Sequence, residues 1–438
     1  MKRTLSALLA VLLLAVLLLA VLLAVPALAE EPVPPELSGT AYYVVNLDTG
    51  LVVCEKSSEE PMAAASLTKL MTIILMLKQY QDQLDTVTVT APGYIYDILY
   101  GKNGSTADIR KGETHTLRSL MYAMEVQSGN EAAYIVADFM GGGDVSAFVD
   151  MMNAEAASLG CTGTTFTDPC GLDPGNLTTA RDVYLLLRAA MSYDAFAQCA
   201  TATRYEMPAA EKHSSAYNLI TTVKIIDSTS TDYYRSYCKG GKTGSLEDWQ
   251  NFAGLHSKDG VSYISVVLHS PLTVSNRPAL TETGSLMDWV FKTYTVAPAL
   301  DVNDPISEIP VVYSTDADTV KLYPADSMMT LLRADGQSQT QRQFNVPDHL
   351  TAPVKQGDVV GTVTLTLNGA VIGSTDLLAG SDVDRNQLLY TIARVSEFFK
   401  STYFKVLVIL TMIVVATYFF LLVLAALGVF DKKQKRHR

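Results

Sequence analysis

The feature that most constrains this chain is an apolar run close to its C-terminus. Residues 406–430 form 25 consecutive positions without a charged side chain. A helix needs only ~20 apolar residues to cross the hydrocarbon core of a bilayer. A buried helical hairpin is the alternative, but the length and hydrophobicity of the run favour a transmembrane helix. The mixed segment 386–405 is predicted to be a juxtamembrane helix, and the basic tail, residues 431–438, is typical of the cytoplasmic side of a membrane.

The N-terminus has the pattern of a secretory signal. Lys2 and Arg3 precede a long apolar stretch, and the small residues Ala27 and Ala29 follow it at the spacing of a cleavage site. The pattern predicts a signal peptide over residues 1–29, with an uncleaved membrane anchor as the alternative. Export follows in either case. We therefore expect a single-pass protein of the cell membrane, with its globular part on the extracytoplasmic face.

Charge and cysteine content exclude other classes of protein. The formal net charge is −12, although both termini are basic, so that the part between them is still more acidic. Nucleic-acid binding needs clustered basic surface and is not expected. The five cysteines are an odd number; Cys161 and Cys170 could be bridged, but small core residues are the favoured interpretation. No Cys/His spacing indicates a metal site, and no cofactor is expected.

Secondary-structure patterns predict two domains before the membrane segment. Residues 30–297 have a strand hairpin near Tyr42–Cys54, a block of helical patterns, and strands and a closing helix at the end. This order predicts an α+β domain in which the two ends of the segment build one antiparallel sheet with helices packed on it. Residues 300–385 contain short strands separated by turn residues, among them a hairpin at Asn368-Gly369. They are predicted to form a small all-β domain.

The first candidate for chemistry is Ser66-Leu67-Thr68-Lys69. The pattern places Ser66 at the start of a central helix, and the i, i+3 spacing puts both side chains on one face. A serine nucleophile needs a base, and an amine in a dry site can accept a proton. The same spacing recurs at Ser236 and Lys239, so the motif alone is weak. Only Lys69 leads into a helix that is apolar almost all round.

Two further motifs follow along the chain. Ser128-Gly129-Asn130 lies between two predicted helices, where a turn would place a hydroxyl and an amide at the edge of a cleft. Lys242-Thr243-Gly244 suits a strand edge that docks an extended peptide and its carboxylate. Each tripeptide alone is also typical of an ordinary loop. Their order, however, is a signature of penicillin-recognising serine enzymes.

The chain resembles the low-molecular-weight penicillin-binding proteins, which are serine-type D-alanyl-D-alanine carboxypeptidases. The likeness is close in segments 65–72, 127–133 and 240–244, and residues 352–361 are similar to the C-terminal β-domain of that family. The resemblance implies a β-lactamase/transpeptidase-like catalytic domain, a small all-β domain and a membrane anchor. It also implies peptidoglycan stem pentapeptides as substrate and β-lactams as inhibitors.

The resemblance further implies a role for each motif residue. Ser66 would attack the carbonyl between two D-alanines, with Lys69 as base, and Ser128 would pass the proton to the departing D-alanine. The resemblance also implies the binding residues. The Asn130 amide would hold the substrate, and Lys242, Thr243 and Gly244 would bind its carboxylate region. The backbone N–H groups of Ser66 and Ser245 would stabilise the oxyanion.

One segment departs from the family pattern. Ser245-Leu246-Glu247-Asp248-Trp249 follows the third motif, where relatives more often carry His or Tyr. Because this strand contacts substrate, an altered preference or rate is expected. A DD-endopeptidase or β-lactam hydrolase on the same scaffold, and a catalytically silent wall-binding protein, stay open as alternatives. The intact set of catalytic residue types disfavours the silent protein.

Overall fold

The structure is a computed structural model that describes residues 32–273, 277–336, 338 and 340–427. The predicted signal peptide and basic tail lie outside these residues. Two compact units are present: one comprises residues up to Ala297 together with Thr330–Gln337, and the other comprises Pro298–Met329 and the chain from Ser338 onward. All of the motif residues belong to the first unit.

The strands are numbered in chain order. They are β1 Ala41–Asn46, β2 Val52–Lys56, β3 Met62–Ala63, β4 Thr88–Thr90, β5 Thr114–Thr116, β6 Leu177–Thr178, β7 Arg204–Met207, β8 Tyr217–Ile220, β9 Cys238–Ser245, β10 Trp249–Lys258, β11 Val261–Pro271, β12 Tyr294–Leu300, β13 Ser307–Val312, β14 Thr319–Pro324, β15 Met328–Arg333, β16 Thr340–Asn345, β17 Leu350–Thr351, β18 Val359–Leu367 and β19 Ala370–Ala379.

The α-helices are numbered in the same way. They are α1 Lys69–Tyr80, α2 Tyr94–Leu99, α3 Leu117–Glu125, α4 Asn130–Met140, α5 Val145–Ser158, α6 Ala180–Met191, α7 Asp194–Ala200, α8 Pro278–Thr293, α9 Gln387–Lys400 and α10 Thr402–Ala426. A 3₁₀ turn, Ala65–Thr68, leads directly into α1.

A five-stranded sheet with the order β2-β1-β11-β10-β9 organises the first unit. Every neighbouring pair is antiparallel, with Val44 opposite Ser265 and Ala253 opposite Lys242. The first two strands come from the beginning of the unit and the other three from its end. The predicted α+β class, with one sheet built from both ends of the segment, is therefore confirmed. Strand β9 lies at an edge of this sheet.

Helix α1 passes through the centre of the first unit. Every residue from Lys69 to Leu77 is buried, which explains why its sequence shows no polar stripe. The helices around it begin at side chains that accept hydrogen bonds from the first turn: Thr179 caps α6 and Asp144 caps α5. Because α1 is buried along most of its length, the 3₁₀ turn that leads directly into it is attached to a rigid element of the core.

The second unit contains a six-stranded sheet with the order β16-β18-β19-β14-β13-β17. Val363 and Leu365 of β18 point into its core, together with Leu322 and Leu377. The predicted hairpin between β18 and β19 has left-handed backbone at Asn368 and Gly369, with φ of 50° and 87°, as a tight two-residue turn requires. The predicted all-β region after the catalytic part is confirmed.

Two helices end the described chain. Ser401 separates α9 from α10 and caps α10 by accepting a hydrogen bond from the Phe404 N–H at 3.1 Å. Helix α10 has 25 residues and a mean hydropathy of 2.9, and within the described ranges it is the one helix long and apolar enough to cross a membrane. It begins at Thr402, before the predicted membrane span, so that Tyr403 and Lys405 lie in its first turn.

Replacing Ile73 by alanine tests the central position of α1. Ile73 has no exposed surface, so Ile73→Ala leaves a cavity and should lower the free energy of unfolding by about 2–5 kcal/mol. Gln79→Ala, at the exposed end of the same helix, should change it by less than about 0.5 kcal/mol. Urea unfolding followed by circular dichroism measures both values. Equal destabilisation by the two variants would contradict the buried position of α1.

Candidate active site

The three sequence motifs meet at one cleft of the first unit. This cleft has a volume of about 1010 Å³ and is lined by Ser66, Asn130 and Ser245, by residues 101–105, by Gly171, Leu172 and Pro174, and by residues 246–249. Ser66 is half-buried, so its side chain can be reached from the cleft. Lys69, Ser128, Lys242, Thr243 and Gly244 are buried.

Ser66 and Lys69 are in direct contact. The Lys69 Nζ donates to Ser66 Oγ at 2.8 Å and to Asn130 Oδ1 at 2.7 Å. Lys69 is fully buried, and this burial lowers the pKa of its amine below the ordinary value for lysine. Ser66 lies in the 3₁₀ turn, one turn before α1, rather than in the first turn of the α-helix as the sequence predicted.

A third contact of Lys69 comes from a loop that the sequence analysis did not single out. The Cys170 carbonyl accepts from Lys69 Nζ at 2.9 Å. Asp168 fixes this loop, because its carboxylate accepts from the N–H groups of Cys170, Gly171 and Asp173 at 2.6–2.8 Å. The run of turn-forming residues in segment 168–175 was the available signal, since it indicates an ordered loop. A backbone carbonyl has no residue-type signature of its own.

Gly171 brings this loop against the nucleophile turn. Its φ is 89°, and a Cβ at this position would lie 1.8 Å from the Ala65 carbonyl oxygen. Ala65 itself has a left-handed backbone, with φ of 49°, a conformation that is costly for a residue with a side chain. The close packing of the two segments therefore fixes the backbone directly before Ser66.

Ser128 and Asn130 occupy the turn between α3 and α4. Ser128 has a left-handed backbone, with φ of 61°, and its Oγ accepts from Lys242 Nζ at 3.0 Å. The backbone N–H of Asn130 donates to the Ser105 carbonyl at 2.9 Å, which ties the start of α4 to the cleft loop. The turn predicted from the sequence thus places the Ser128 hydroxyl against Lys242 and the Asn130 side-chain amide against Lys69.

Lys242, Thr243 and Gly244 lie within the edge strand β9. Lys242 is fully buried, and burial lowers the pKa of its amine to about 8. Thr243 Oγ1 donates to Thr222 Oγ1 at 2.7 Å, and Arg277 Nη1 donates to the Thr222 carbonyl at 3.1 Å. Gly244 packs closely on the backbone of Ala64, with an added Cβ 3.0 Å from its carbonyl oxygen. The sequence motif gave no indication of the bridging role of Thr222.

The segment that departs from the family pattern forms the turn between β9 and β10. The Leu246 N–H donates to the Trp249 carbonyl at 3.1 Å, and Trp249 stacks on His269 with ring centroids 3.8 Å apart. The exposed side chains of Ser245, Glu247 and Asp248 line one wall of the cleft. This wall is acidic.

The second Ser-x-x-Lys spacing does not form a site. Ser236 and Lys239 are both exposed, and Lys239 Nζ donates to the Ser236 carbonyl at 2.9 Å rather than to its hydroxyl. All five cysteines are free thiols, so Cys161 and Cys170 are not bridged. No group of residues in the described part of the chain could hold a metal ion.

Two buried lysines, each hydrogen-bonded to one serine of the site, define the class of Ser-x-x-Lys acyl-enzymes. Comparison with known proteins gives the family. Residues 28–271 match the family described as D-alanyl-D-alanine carboxypeptidase, and residues 291–385 match the C-terminal domain of penicillin-binding protein 5. The chain therefore belongs to the D-alanyl-D-alanine carboxypeptidase family of serine hydrolases.

Curated relatives and solved structures agree with this assignment. The chain is 28% identical to D-alanyl-D-alanine carboxypeptidase DacC of Escherichia coli, over 80% of this chain and 85% of the relative. It is 24% identical to the carboxypeptidase DacF of Bacillus subtilis, over 78% of this chain and 85% of that protein. The structure of penicillin binding protein 5 from Haemophilus influenzae superposes with a TM-score of 0.61 at 24% identity, covering 81% of this chain and all (100%) of the other, and shows the shared fold.

Replacing Gly171 by alanine tests the packing beside Ser66. Because the new Cβ would overlap the Ala65 carbonyl, the turn that bears Ser66 must shift, and we expect penicillin acylation to slow at least about tenfold. Gly142→Ala is the control, since Gly142 has a similar φ of 66° but nothing near its Cβ position. Stopped-flow acylation rates measure the difference. Equal rates for the two variants would show that the contact does not position Ser66.

Proposed function

We propose that this protein removes the terminal D-alanine from peptidoglycan stem pentapeptides through an acyl-enzyme on Ser66. The observation that carries the proposal is the fully buried Lys69 amine, which lies 2.8 Å from Ser66 Oγ, and Ser66 lines the cleft. A buried amine favours its neutral form and can then take the proton of an adjacent hydroxyl. The alternative of a catalytically silent wall-binding protein gives no reason for burying this amine beside a serine.

Acylation begins with proton transfer from Ser66 Oγ to Lys69 Nζ. The freed oxygen attacks the carbonyl carbon between the two D-alanines, and the negative charge develops on the carbonyl oxygen. The backbone N–H groups of Ser66 and Ser245 would stabilise this oxyanion. Both residues line the same cleft, which supports the assignment.

Collapse of the intermediate breaks the C–N bond and releases D-alanine. The departing amine needs a proton. Ser128 would give it the proton of its hydroxyl and would take a proton from Lys242 in exchange. The 3.0 Å contact between Lys242 Nζ and Ser128 Oγ supports this relay. Water then attacks the ester on Ser66, its proton returns to Lys242 through Ser128, and Lys69 gives its proton back to the departing Ser66 oxygen, so that both lysines recover their starting states.

The edge strand β9 would hold the substrate. Its inner edge pairs with β10, so that an extended peptide can add to the outer edge as a further strand. Lys242 and Thr243 would bind the terminal carboxylate, with Gly244 allowing close backbone approach, and the Asn130 amide would bind the peptide. β-Lactams, which carry a comparable carboxylate and a reactive amide, would acylate Ser66 as inhibitors.

The wall is outside the cytoplasm, and the chain has the features needed to reach it. We propose that residues 1–29 direct export, that α10 anchors the chain in the cytoplasmic membrane, and that the catalytic unit acts on the extracytoplasmic face. The apolar composition and length of α10 support the anchor. The acidic charge of the chain supports a substrate other than nucleic acid.

Mass spectrometry of a pentapeptide muropeptide tests this function. The purified protein should release one alanine from the peptide, and Ser66→Ala should abolish the release, because it removes the hydroxyl that lies 2.8 Å from the Lys69 amine. Ser236→Ala is the matched control, since it removes the exposed serine of the second Ser-x-x-Lys spacing, and it should leave the rate unchanged.

The same protein, assayed with cross-linked muropeptide dimers and with penicillin, separates the alternatives. Cleavage of cross-linked dimers without alanine release would identify an endopeptidase, and rapid turnover of penicillin would identify a β-lactam hydrolase. Penicillin labelling without any peptide cleavage would contradict the carboxypeptidase and favour a wall-binding protein.

A further inference from the structure

Glu125 is a buried carboxyl group that the mechanism above does not use. It is the last residue of α3, three positions before Ser128, and only 2% of its surface is exposed. Neither of its carboxyl oxygens accepts a hydrogen bond from the residues that the structure describes. Burying a carboxyl without hydrogen-bond partners is costly, so its burial calls for another interaction.

Asp182 shows what a buried carboxylate with a purely structural role looks like in this chain. It has no exposed surface, and it accepts hydrogen bonds from the N–H groups of Thr162 and Gly163 and from the Thr164 hydroxyl, at 2.8–3.3 Å. These bonds hold a loop in place. Glu125 has no comparable backbone partners, and it therefore does not serve to fix a loop.

The charged groups that face Glu125 are the two lysines of the active site. Lys242 of β9 acts on its carboxyl most strongly, and Lys69 of α1 follows. The Cys199 thiol of α7 lies close enough to interact with both Glu125 and Lys242, and Arg118, from the same helix as Glu125, acts on this thiol. Cys199 is uncharged at neutral pH because burial raises its pKa far above the usual value. Glu125 is thus the carboxyl group that acts most strongly on Lys242, whereas Asp168 and Glu131 act on Lys69 more strongly than Glu125 does.

The reaction needs opposite protonation states on these two amines. Lys69 must be neutral to accept the Ser66 proton, whereas Lys242 must carry a proton to supply Ser128 and to attract the substrate carboxylate. Both are fully buried, and each ammonium disfavours the other. The ionised Glu125 carboxylate and a protonated Lys242 together carry no net charge.

We propose that Glu125 is a positioning residue that keeps the proton on Lys242, the amine that donates a hydrogen bond to Ser128. The inference rests on the proposed function, because it assigns the proton to one member of the catalytic pair. Its support is the placement of the carboxyl at the end of α3, just before the turn that bears Ser128. Both carboxyl oxygens are buried, and neither has a hydrogen-bond donor among the described residues.

The titration behaviour of the group agrees with this placement. Burial raises the pKa of Glu125 to about 7, and the two lysines oppose that rise. Burial lowers the pKa of Lys242 to about 8, and Glu125 opposes that fall more than any other group does. Above neutral pH Glu125 is therefore anionic, and in that range it favours the ammonium form of Lys242.

Glu125→Gln removes the charge while preserving the size of the side chain. Without the carboxylate, both lysines lose a proton at lower pH, and Lys242 is affected more because Glu125 acts on it more strongly. The acylation rate should rise with pH as Lys69 becomes neutral and fall as Lys242 loses its proton. We expect the falling limb to move at least one pH unit toward acid, so that the rate on that limb drops about tenfold.

The experiment measures the second-order rate of acylation by benzylpenicillin between about pH 5 and pH 10, using the full chain in detergent. Glu125→Asp should restore most of the alkaline limb, because it keeps the charge. Asp182→Asn is the matched control: it removes a buried carboxylate that accepts backbone hydrogen bonds, and it should lower thermal stability without moving either limb.

The outcomes separate the inference from the proposed function. If the unaltered protein is not acylated at Ser66, the proposed function fails. If it is acylated and Glu125→Gln has the same pH profile, only the inference about Glu125 is overturned. Should Glu125→Gln fail to show a cooperative thermal transition, Glu125→Met carries the test, because it also removes the charge and suits a buried position; its falling limb should move toward acid, and an unshifted limb overturns the inference.

Discussion

The buried contact between Lys69 and Ser66 is the interaction on which the rest of the structure depends. An amine without solvent needs hydrogen-bond acceptors, and its burial disfavours the charged form. Ser66 Oγ, Asn130 Oδ1 and the Cys170 carbonyl supply three acceptors within 2.9 Å. Each belongs to a different segment of the chain. The lysine therefore joins these segments and holds the nucleophile against the base.

The fold explains how distant segments reach this one point. Helix α1 is buried along most of its length and carries Lys69 in the core, while β9 brings Lys242 to the sheet edge. The turn between α3 and α4 places Ser128 in contact with the Lys242 amine. Left-handed backbone at Ala65 and Ser128 shows that local conformational preference yields to packing at both serines. Because Glu125 favours a charge on Lys242 and Lys69 opposes it, the charge on Lys242 depends on both groups.

The fold class and the motif residues could be predicted from the sequence because each depends on a local pattern. The apolar run of α1 and the hairpin at Asn368 are periodicity and turn signals. The Cys170 carbonyl could not be predicted, since any residue carries a carbonyl. Glu125 is the last residue of an amphipathic helix, where a carboxylate is ordinarily solvated. Strand β9 was only partly evident, because its Gly240 and Gly241 obscure the strand pattern.

Peptide mapping after reaction with benzylpenicillin tests the central claim most directly. The account predicts one penicilloyl adduct, on the peptide that contains Ser66, and loss of its rapid formation at neutral pH in Lys69→Met, which keeps a long apolar side chain in the buried position. An adduct on Ser128 or Ser236, or acylation of Lys69→Met at the rate of the unaltered protein, would contradict the assignment of nucleophile and base.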